Sequence, residues 1–191
     1  MNQKKSKHLL LEQLYEPYKK CFSCPLGILG RQNVVFGQGN PDAQLMIIGE
    51  APGKDEDEQG VPFVGRSGKF LTKTLLSLGI DRKELFITNS VKCRPPQNRK
   101  PTPLERKTCK DILLIKQIDI IKPKIICTLG SAAIESLLEK PIKMNETRDS
   151  EMFFGSIPII ATYHPAYIMR NPKKLDLFIK DLSLAYSICK Q

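Results

Sequence analysis

Residues 45–80 read LMIIGEAPGKDEDEQGVPFVGRSGKFLTKTLLSLGI, and the order of patterns in this stretch decides the fold. Its first five residues form a short apolar run that ends in glycine, which is typical of a buried strand. The run at 68–80 repeats apolar side chains at helical spacing and stops near a glycine. The stretch therefore predicts a strand, a glycine-bounded loop and an amphipathic helix, the repeating unit of a parallel sheet.

The same alternation continues along the chain. Strand patterns follow at 84–89, 124–130 and 156–165, and helical patterns at 103–121, 131–140 and 174–190. A further helix is predicted at about 5–20, and NETRDSE at 145–151 is predicted to be a surface loop. Such alternation covers both faces of a sheet with helices. We expect one α/β domain over residues 1–191, a three-layer α/β/α sandwich around a central four-stranded, mostly parallel sheet.

The composition is that of a globular protein. Hydrophobic residues make up 41% of the 191 residues and charged residues 26%. No apolar run approaches the roughly 20 residues that a membrane span needs. The apolar stretch near the N-terminus is cut short by Glu12 and Gln13, unlike a secretory signal. We therefore expect a cytoplasmic protein that has no membrane partner and acts as a monomer.

The charge balance points to a polyanionic partner. Thirty Lys and Arg against 20 Asp and Glu give a formal net charge of +10. Such a surplus attracts nucleic acid first and anionic membrane surfaces second. A merely basic surface is the alternative interpretation, because the lysines are spread along the chain without a long tract.

Five carboxylates nevertheless crowd into residues 50–58, directly after the first predicted strand. In a parallel sheet, ligands bind at the carboxyl ends of the strands. Those ends carry Glu50, Asn89 and His164, which is one of only two histidines in the chain. We expect these three side chains to meet in a single cleft.

The six cysteines are better candidates for metal ligands or buried thiols than for disulfides, given the expected cytoplasmic location. Cys21 and Cys24 form a C-x2-C pair, and 15 residues separate Cys93 from Cys109. One such pair and two distant cysteines can complete a site for zinc or for an iron–sulfur cluster. The wide second spacing departs from a zinc ribbon and favours the cluster. Buried cysteines without a metal are the other alternative.

Four sequence blocks in this order resemble the iron–sulfur uracil-DNA glycosylases known as family 4. They are the C-x2-C pair at 21–24, GEAPG-x-x-E-D-x-x-G-x-PFVG-x-x-G at 49–68, TN-x-VKCRPP-x-NR-x-P at 88–101 and HPAYIMR at 164–170. The blocks span about 150 residues, nearly the whole chain. The resemblance implies a uracil-DNA glycosylase fold and a structural [4Fe–4S] cluster on Cys21, Cys24, Cys93 and Cys109.

The resemblance also implies catalytic residues. Excision of uracil breaks the C1′–N1 glycosidic bond, and preorganised donors assist by stabilising the leaving uracil as an anion. His164 corresponds to the donor that faces uracil O2 in the family. Glu50 corresponds to the glutamate at the active-site wall, which we expect to order the pocket or a water. Another glycosylase family has an aspartate where this chain has Ala51, so Glu50 or a backbone carbonyl has to position the water.

Recognition of the base is implied for residues around the same cleft. The amide of Asn89 can match uracil O4 and N3–H, whereas cytosine presents the opposite polarity there. Phe63 is implied to stack on the uracil face. Glu56 is implied to lie near uracil C5, where it helps to exclude the thymine methyl. Ala51 and Gly53 complete the substrate-binding set, since the glycine permits close approach of the backbone.

Several of these residues also have a purely structural interpretation. His164 can cap a turn, Asn89 can end its strand as a turn former, and Phe63 can pack in the core. Asp57, the neighbour of Glu56, is expected only to hold the loop.

Three further residues are predicted to contact DNA. Ser67 lies where a helix begins, and N-terminal amides of a helix can hold a phosphate. Ile168 stands where related enzymes insert an apolar wedge into the base stack. Arg170 can contact a backbone phosphate.

We therefore expect a monofunctional uracil-DNA glycosylase of base excision repair. It would flip uracil out of single- or double-stranded DNA, hydrolyse the N-glycosidic bond and leave an abasic site. A lyase step needs an amine nucleophile, and no lysine in the blocks has a clear claim to that role.

The alternative is a uracil-DNA-binding protein that does not turn over or that traps its product. A related group traps its product through a histidine after KCRPP, whereas QNRKPTP at 97–103 contains none. A zinc-containing nucleic-acid-binding module and an enzyme acting on free nucleosides are the remaining interpretations.

Overall fold

The apolar runs of the sequence form the centre of one sheet in the computed structural model, which describes residues 6–148 and 150–190. Within these residues the sheet has six strands: β1 (Gln38–Gly39), β2 (Leu45–Gly49), β3 (Phe86–Asn89), β4 (Ile125–Leu129), β5 (Met152–Phe154) and β6 (Ile157–Thr162). Their spatial order is β1-β3-β2-β4-β6-β5. The four predicted strands are β2, β3, β4 and β6, and neighbouring strands among them are parallel. All residues of β2, β3 and β4 are buried, which explains their continuous apolar character.

Two short edge strands extend the predicted four-stranded sheet. β1 pairs antiparallel with β3, and β5 pairs antiparallel with β6. Strands of two and three residues are too short to produce a periodic sequence pattern, so the predicted count of four fell short by two. The predicted loop at 145–151 holds most of a four-residue helix, and Asp149 within the loop lies outside the described residues.

Helices fill the connections between the strands. They are α1 (Lys7–Tyr15), α2 (Lys54–Gln59), α3 (Arg66–Ser77), α4 (Pro103–Cys109), α5 (Ile115–Ile121), α6 (Ser131–Leu138), α7 (Met144–Thr147), α8 (Pro165–Arg170) and α9 (Leu175–Lys190). Short 3-10 turns lie at Glu16–Tyr18, Pro25–Gly27, Arg82–Glu84, Pro96–Asn98 and Pro172–Lys174. The helix predicted at 103–121 is continuous, but a π-helical segment (Lys110–Leu114) joins α4 to α5. The N-terminal helix ends at Tyr15, earlier than predicted, and residue 5 lies outside the described part of the chain.

The helices cover the two faces of the sheet and confirm the three-layer α/β/α arrangement. Alternating side chains of β2 face opposite cores: Met46 and Ile48 pack with α1, α5 and α6, whereas Leu45 and Ile47 pack with α3, α8 and α9. This alternation follows from the period of two in a strand. None of the helices within residues 6–148 and 150–190 has the length and apolar character to cross a bilayer.

The carboxyl ends of the parallel strands lie at one edge of the sheet, where the backbone holds their loops together. Ser90 N–H donates to Gly49 O at 2.8 Å, and Val91 N–H donates to Glu50 O at 3.0 Å. Gly130 N–H, after β4, donates to Thr162 O at the end of β6 at 2.8 Å. These bonds fix the segments that carry the predicted site residues.

Candidate active site

A cleft of about 490 Å³ opens at this edge of the sheet and contains the three side chains that the sequence predicted to converge. Glu50 follows β2, Asn89 ends β3 and His164 begins α8, and all three line the cleft. Six further predicted residues also line it: Ala51, Gly53, Glu56, Phe63, Ser67 and Arg170. The convergence predicted from strand order is confirmed.

His164 is the N-cap of α8, and this role fixes its protonation. Its Nδ1 accepts the backbone N–H of Ala166 at 3.1 Å. A nitrogen that accepts carries no proton, so in the neutral ring the proton lies on Nε2. Burial lowers the pKa of His164 to about 4; the cation of Arg170 acts in the same direction and Glu56 opposes it. At neutral pH the cleft therefore contains a neutral imidazole with one donor, Nε2–H, and the structural cap is compatible with this donor.

Asn89 presents an uncommitted amide at the end of β3. It is 2% exposed, yet within residues 6–148 and 150–190 its side chain makes no hydrogen bond, which leaves a donor and an acceptor for a ligand. The amide lies against Gly49: a Cβ built on this glycine would stand 2.3 Å from Asn89 Oδ1 and 2.5 Å from Phe63 Cζ. Only glycine at position 49 therefore lets the amide and the phenyl ring approach each other.

Phe63 is both a core residue and part of the cleft wall. It is 5% exposed, and its ring centroid lies 6.1 Å from that of His164. Its backbone has φ +53°, a left-handed conformation that an aromatic residue adopts only under constraint.

Arg82 supplies that constraint. Its Nη1 donates to Phe63 O at 2.8 Å and to Thr72 Oγ1 at 3.0 Å, and its Nη2 donates to Pro62 O. Burial lowers the pKa of Arg82 from its ordinary value. This arginine does not line the cleft, and it fixes the loop through the carbonyls of Pro62 and Phe63.

The carboxylate of Glu56 holds the acidic segment and the loop around Phe63 together by accepting backbone N–H groups from both. The predicted loop is a helix, α2, and Glu56 occupies its first turn. Glu56 Oε1 accepts the N–H groups of Val64 and Gly65 at 3.0 and 2.8 Å, and Oε2 accepts that of Gly53 at 3.1 Å. Both oxygens therefore organise the loop around Phe63, a role that the sequence did not indicate. Its proximity to uracil C5 stays a prediction.

Asp57 has the holding role that was expected of it. Its carboxylate accepts the backbone N–H groups of Gln32 and Asn33 at 3.0–3.1 Å, which ties α2 to the segment before β1.

Glu50 is the half-buried carboxyl of the cleft. Burial raises the pKa of Glu50, while the cations of Lys100 and Arg106 oppose the shift. Ala51 beside it offers no polar side chain. Among the residues described here, Glu50 is therefore the titratable carboxyl best placed to hold a water in the cleft.

Ile168 corrects one prediction. It is 1% exposed and packs in the apolar cluster with Leu71 and Phe178, so its assignment as a wedge into DNA is wrong. The six residues of α8 do not repeat often enough for the sequence to reveal which face is buried, and the buried face packs on α3. Tyr167, its neighbour, is 37% exposed instead.

The mouth of the cleft is basic. Ser67 and Arg170 also line an adjacent depression together with Lys54 and Arg66, at the start of α3. The helix begins at Arg66, one residue before the predicted contact residue. Asp55 and Glu56 line this depression as well, so its three cations leave a net charge of +1 beside the helix N-terminus.

The four predicted cysteine ligands converge below the cleft, on the α1/α5/α6 face of the sheet. Each of the four thiols is close enough to the other three to interact with them electrostatically. The residues are Cys21, Cys24, Cys93 and Cys109. Burial raises the pKa of Cys93 to about 12 and that of Cys109 to about 11. Cys127 and Cys189 lie in the other core, as expected of packing residues.

The donor chemistry around these thiols fits an iron–sulfur cluster. All four are free thiols, and Lys92 N–H donates to Cys109 Sγ at 3.3 Å, the type of bond that stabilises a thiolate ligand. Within the described ranges no three His, Cys, Asp or Glu side chains are arranged to hold a single metal ion. The fit therefore rests on the four converging thiols.

No sequence pattern pointed to Lys92, which contacts both Cys109 and the end of β3 that carries Asn89. It is fully buried, and its Nζ donates to Thr88 Oγ1 at 2.5 Å, Asn89 O at 2.7 Å and Gln117 Oε1 at 2.6 Å. Burial lowers its pKa to about 7. A lysine beside two prolines and an arginine has the sequence signature of a surface residue, so only the fold identifies it. Arg82 lies within the charged run DRKE, which is also typical of an exposed segment, so the sequence did not predict its buried contacts.

Comparison with known proteins gives a consistent result. The family model described as "Uracil DNA glycosylase superfamily" matches residues 36–183. The type-4 uracil-DNA glycosylase of Thermotoga maritima is 41% identical over 186 residues, covering 95% of this chain and 96% of the relative. That of Pyrobaculum aerophilum is 41% identical over 92% of this chain and 93% of its own. That of Archaeoglobus fulgidus is 35% identical over 94% of this chain and 93% of its own.

Proposed function

The chain belongs to the type-4 uracil-DNA glycosylases of the uracil DNA glycosylase superfamily, and on this premise we propose that its cleft removes uracil from DNA. The protein is a uracil-DNA glycosylase, a hydrolase of N-glycosyl bonds. The products are free uracil and an abasic site, without strand cleavage. The observation that carries the proposal is His164, a buried neutral imidazole on the cleft wall whose second ring nitrogen carries a proton.

The target nucleotide has to leave the base stack before it can enter the cleft. The glycosidic bond is inaccessible within a duplex, so the enzyme accepts a flipped or single-stranded uracil. The cleft of about 490 Å³ is roomy enough for a pyrimidine with its sugar.

His164 stabilises the leaving group. As the C1′–N1 bond breaks, negative charge develops on the uracil oxygens, and Nε2–H donates to O2. Preorganised donors of this kind contribute most where charge develops in the transition state. Because the pKa of His164 is about 4, the ring donates as a neutral group and keeps its proton.

Asn89 selects the base. Its amide NH₂ donates to uracil O4, and its Oδ1 accepts from N3–H. Cytosine has a donor and an acceptor in the reversed positions, so both contacts would become unpaired. The base ring stacks on Phe63, which adds about 1–3 kcal/mol of binding that does not depend on base identity.

Glu50 positions the water. Its carboxylate on the cleft wall holds the water that attacks C1′ and accepts the proton that is released. Its negative charge also stabilises the positive charge that develops on the sugar. Ala51, beside it, supports neither role.

Ser67, Arg170 and the neighbouring cations Lys54 and Arg66 bind the phosphates on either side of the target. These contacts are independent of base sequence, and they position the strand so that uracil reaches the cleft.

Cys21, Cys24, Cys93 and Cys109 hold a [4Fe–4S] cluster as thiolates. When bound, the cluster supplies iron–thiolate bonds that tie the segment after α1 to the loop after β3 and to α4. Binding releases the protons of thiols whose pKa values reach about 12 and 11, so assembly is favoured at higher pH.

Uracil release tests the proposed function. Anaerobically purified protein is incubated with an end-labelled oligonucleotide that carries one uracil, and the products are separated with and without hot alkali. The expected result is alkali-dependent cleavage at uracil and none with a matched thymine oligonucleotide. His164→Ala should lower kcat by about 10²–10³-fold, the usual loss for one transition-state donor.

His8→Ala is the matched control, because His8 is an exposed histidine on α1 that pairs with Glu12 at 3.3 Å and lies outside the residues that line the cleft. It should behave like the wild type. A folded, iron-containing protein that leaves the uracil oligonucleotide intact would contradict the proposal and support a uracil-DNA-binding protein without turnover.

A further inference from the structure

A second cavity, of about 520 Å³, adjoins the uracil cleft and has no role in the mechanism above. Glu50, Lys100 and His164 line both spaces, so the two cavities adjoin at these side chains. An occupant of the second cavity would therefore lie immediately beside an occupant of the first.

Two stacked tyrosines form an aromatic wall of this cavity. The rings of Tyr163 and Tyr167 have centroids 5.1 Å apart and an interplanar angle of 18°. Tyr163 is 6% exposed, and its hydroxyl donates to Asn145 Oδ1 at 2.9 Å, which fixes the inner ring. The guanidinium of Arg148 lies 5.6 Å from the centroid of Tyr163 and supports it further. Tyr167 is the partly exposed member of a rigid pair.

The charge of the lining suits a nucleotide. Lys100 and Lys143 line the cavity, and Glu50 is the one carboxylate among its described lining residues. An aromatic ring beside cations is the combination by which proteins bind single-stranded nucleic acid, since the ring stacks on a base and the cations attract the backbone.

We propose that this second cavity binds the base of a nucleotide adjacent to the target in the same strand, stacked on Tyr167. The proposal rests on the proposed function for the identity of the first occupant. The shared wall of Glu50, Lys100 and His164 places the two cavities side by side, the arrangement that two neighbouring nucleotides of one strand need. The burial of Ile168 supports the assignment, because it leaves Tyr167 as the exposed large hydrophobic side chain of α8.

A cycle of base deletion and side-chain deletion tests this subsite by binding, without reliance on catalysis. The ligand is a single-stranded oligonucleotide with a tetrahydrofuran at the target position, in the presence of free uracil. Two further oligonucleotides lack the base on the 5′ or on the 3′ side. We expect one of the two deletions to weaken binding to the wild type by about tenfold, the effect of losing one base–aromatic stack.

Tyr167→Ala should weaken binding of the complete oligonucleotide to a similar extent, and the base deletion should then have no further effect. Tyr167→Phe keeps the ring, so it should retain the coupling, which is the dependence of the base-deletion effect on the side chain at position 167. Tyr186→Ala, which removes a partly buried tyrosine of α9 whose hydroxyl donates to Glu84, should also retain it. Circular dichroism of each variant verifies folding.

The subsite would be overturned if the effects of the base deletion and of Tyr167→Ala were additive. It would also be overturned if neither base deletion weakened binding to the wild type. Uracil release by the same preparations is measured in parallel. Release without coupling rejects the subsite and leaves the proposed function intact, whereas coupling without release supports the subsite and rejects the catalytic function.

Discussion

At the scale of single residues, the site depends on side chains whose local bonds fix their chemistry. The hydrogen bond from Ala166 N–H to His164 Nδ1 is a helix cap, yet it also determines which ring nitrogen carries the proton. Burial then keeps the ring neutral. The structural and the catalytic interpretations of this histidine, which the sequence presented as alternatives, are compatible, because the capping contact leaves on Nε2 the proton that the proposed donor role requires.

The pH dependence of activity follows from the pKa shifts of His164 and Glu50. His164, with a pKa of about 4, stays neutral through the range in which a free histidine titrates. Burial raises the pKa of Glu50, so its protonation should produce the acid limb of kcat/KM. We expect no inflection near 6.5 in a profile of kcat/KM against pH. In Glu50→Gln the remaining acid limb should move towards pH 4; an unchanged limb would contradict the assignment.

The lowered pKa of His164 also makes the stability of the protein depend on pH. The pKa of His164 is lower in the folded chain than in the unfolded one, so the unfolded chain binds more protons between the two values. The contribution of His164 is fully present above the unfolded pKa and is lost as the pH falls through about 4.

Arg82 should control activity through Phe63. In Arg82→Met the carbonyls of Pro62 and Phe63 lose their donor, and Phe63 can relax from its φ of +53°. Left-handed conformations of this kind store about 1–3 kcal/mol, so relaxation is favoured once the restraint is gone. We expect kcat/KM for uracil release to fall by about tenfold through loss of the stack.

The matched control is Lys83→Met, an exposed neighbour in the same 3-10 turn. It should retain wild-type kcat/KM. Equal activities of the two variants, with Arg82→Met folded by circular dichroism, would show that Phe63 does not need the restraint.

At the scale of elements, buried polar bonds join β3 to its surroundings. The ammonium of Lys92 links Thr88 and Asn89 of β3 to Gln117 of α5, and Gln117 Nε2 donates in turn to Phe36 O at 2.9 Å. The backbone N–H of Lys92 also donates to Sγ of Cys109 in α4. The end of β3 that presents Asn89 is thereby fixed to two other elements.

Lys92→Met should destabilise the protein, because three buried acceptors lose their donor. Each unsatisfied buried group lowers the free energy of unfolding by about 1–3 kcal/mol, partly offset by removal of a buried charge. We expect a net loss of about 2–3 kcal/mol in urea unfolding. Lys116→Met, at an exposed position of α5, should change it by less than about 0.5 kcal/mol. The network has no structural importance if both variants unfold alike.

At the scale of the whole molecule, two features extend beyond any one element. The positive net charge of +10 acts on DNA at a distance, and the four converging cysteines connect segments that are far apart in the sequence. The charge belongs to the chain as a whole, whereas the cysteines come together only in the folded protein.

Removal of one cysteine should abolish the cluster. Cys93→Ser is expected to lose the broad visible absorption and most of the roughly four iron atoms per chain. Its free energy of unfolding should fall, since the cross-link between distant segments is lost. Cys189→Ser removes a buried thiol of the other core and should keep its iron. A full iron content in Cys93→Ser would exclude Cys93 as a ligand.

The salt dependence of DNA binding measures the phosphate contacts. Arg170→Ala should reduce the magnitude of the slope of log K against log salt by about 0.9 on duplex DNA, or about 0.7 on a single strand. Lys180→Ala removes one exposed cation of α9, away from the cleft, and should leave the slope unchanged. Identical slopes for wild type and Arg170→Ala would argue against a phosphate at this position.

Local sequence patterns were enough to predict the layers of the fold and the edge of the sheet at which the site lies. Apolar runs and helical spacing fixed the four central strands, and strand order brought Glu50, Asn89 and His164 to the same end of the sheet. These properties are local and periodic, so a single chain reveals them. The C-x2-C pair and two distant cysteines permitted a four-cysteine site, and the family resemblance implied which four cysteines form it.

The face that a short segment buries and the bonds that cross between segments follow from the packing of the whole fold. Ile168 is buried, contrary to its predicted contact with DNA, because α8 rests on α3, a contact without a sequence pattern. Lys92 and Arg82 donate hydrogen bonds to partners up to 25 residues away in the sequence. The charged residues near them in the sequence made both resemble surface residues. Burial and long-range bonding depend on the packing of every element at once, whereas strand and helix patterns depend only on neighbours along the chain.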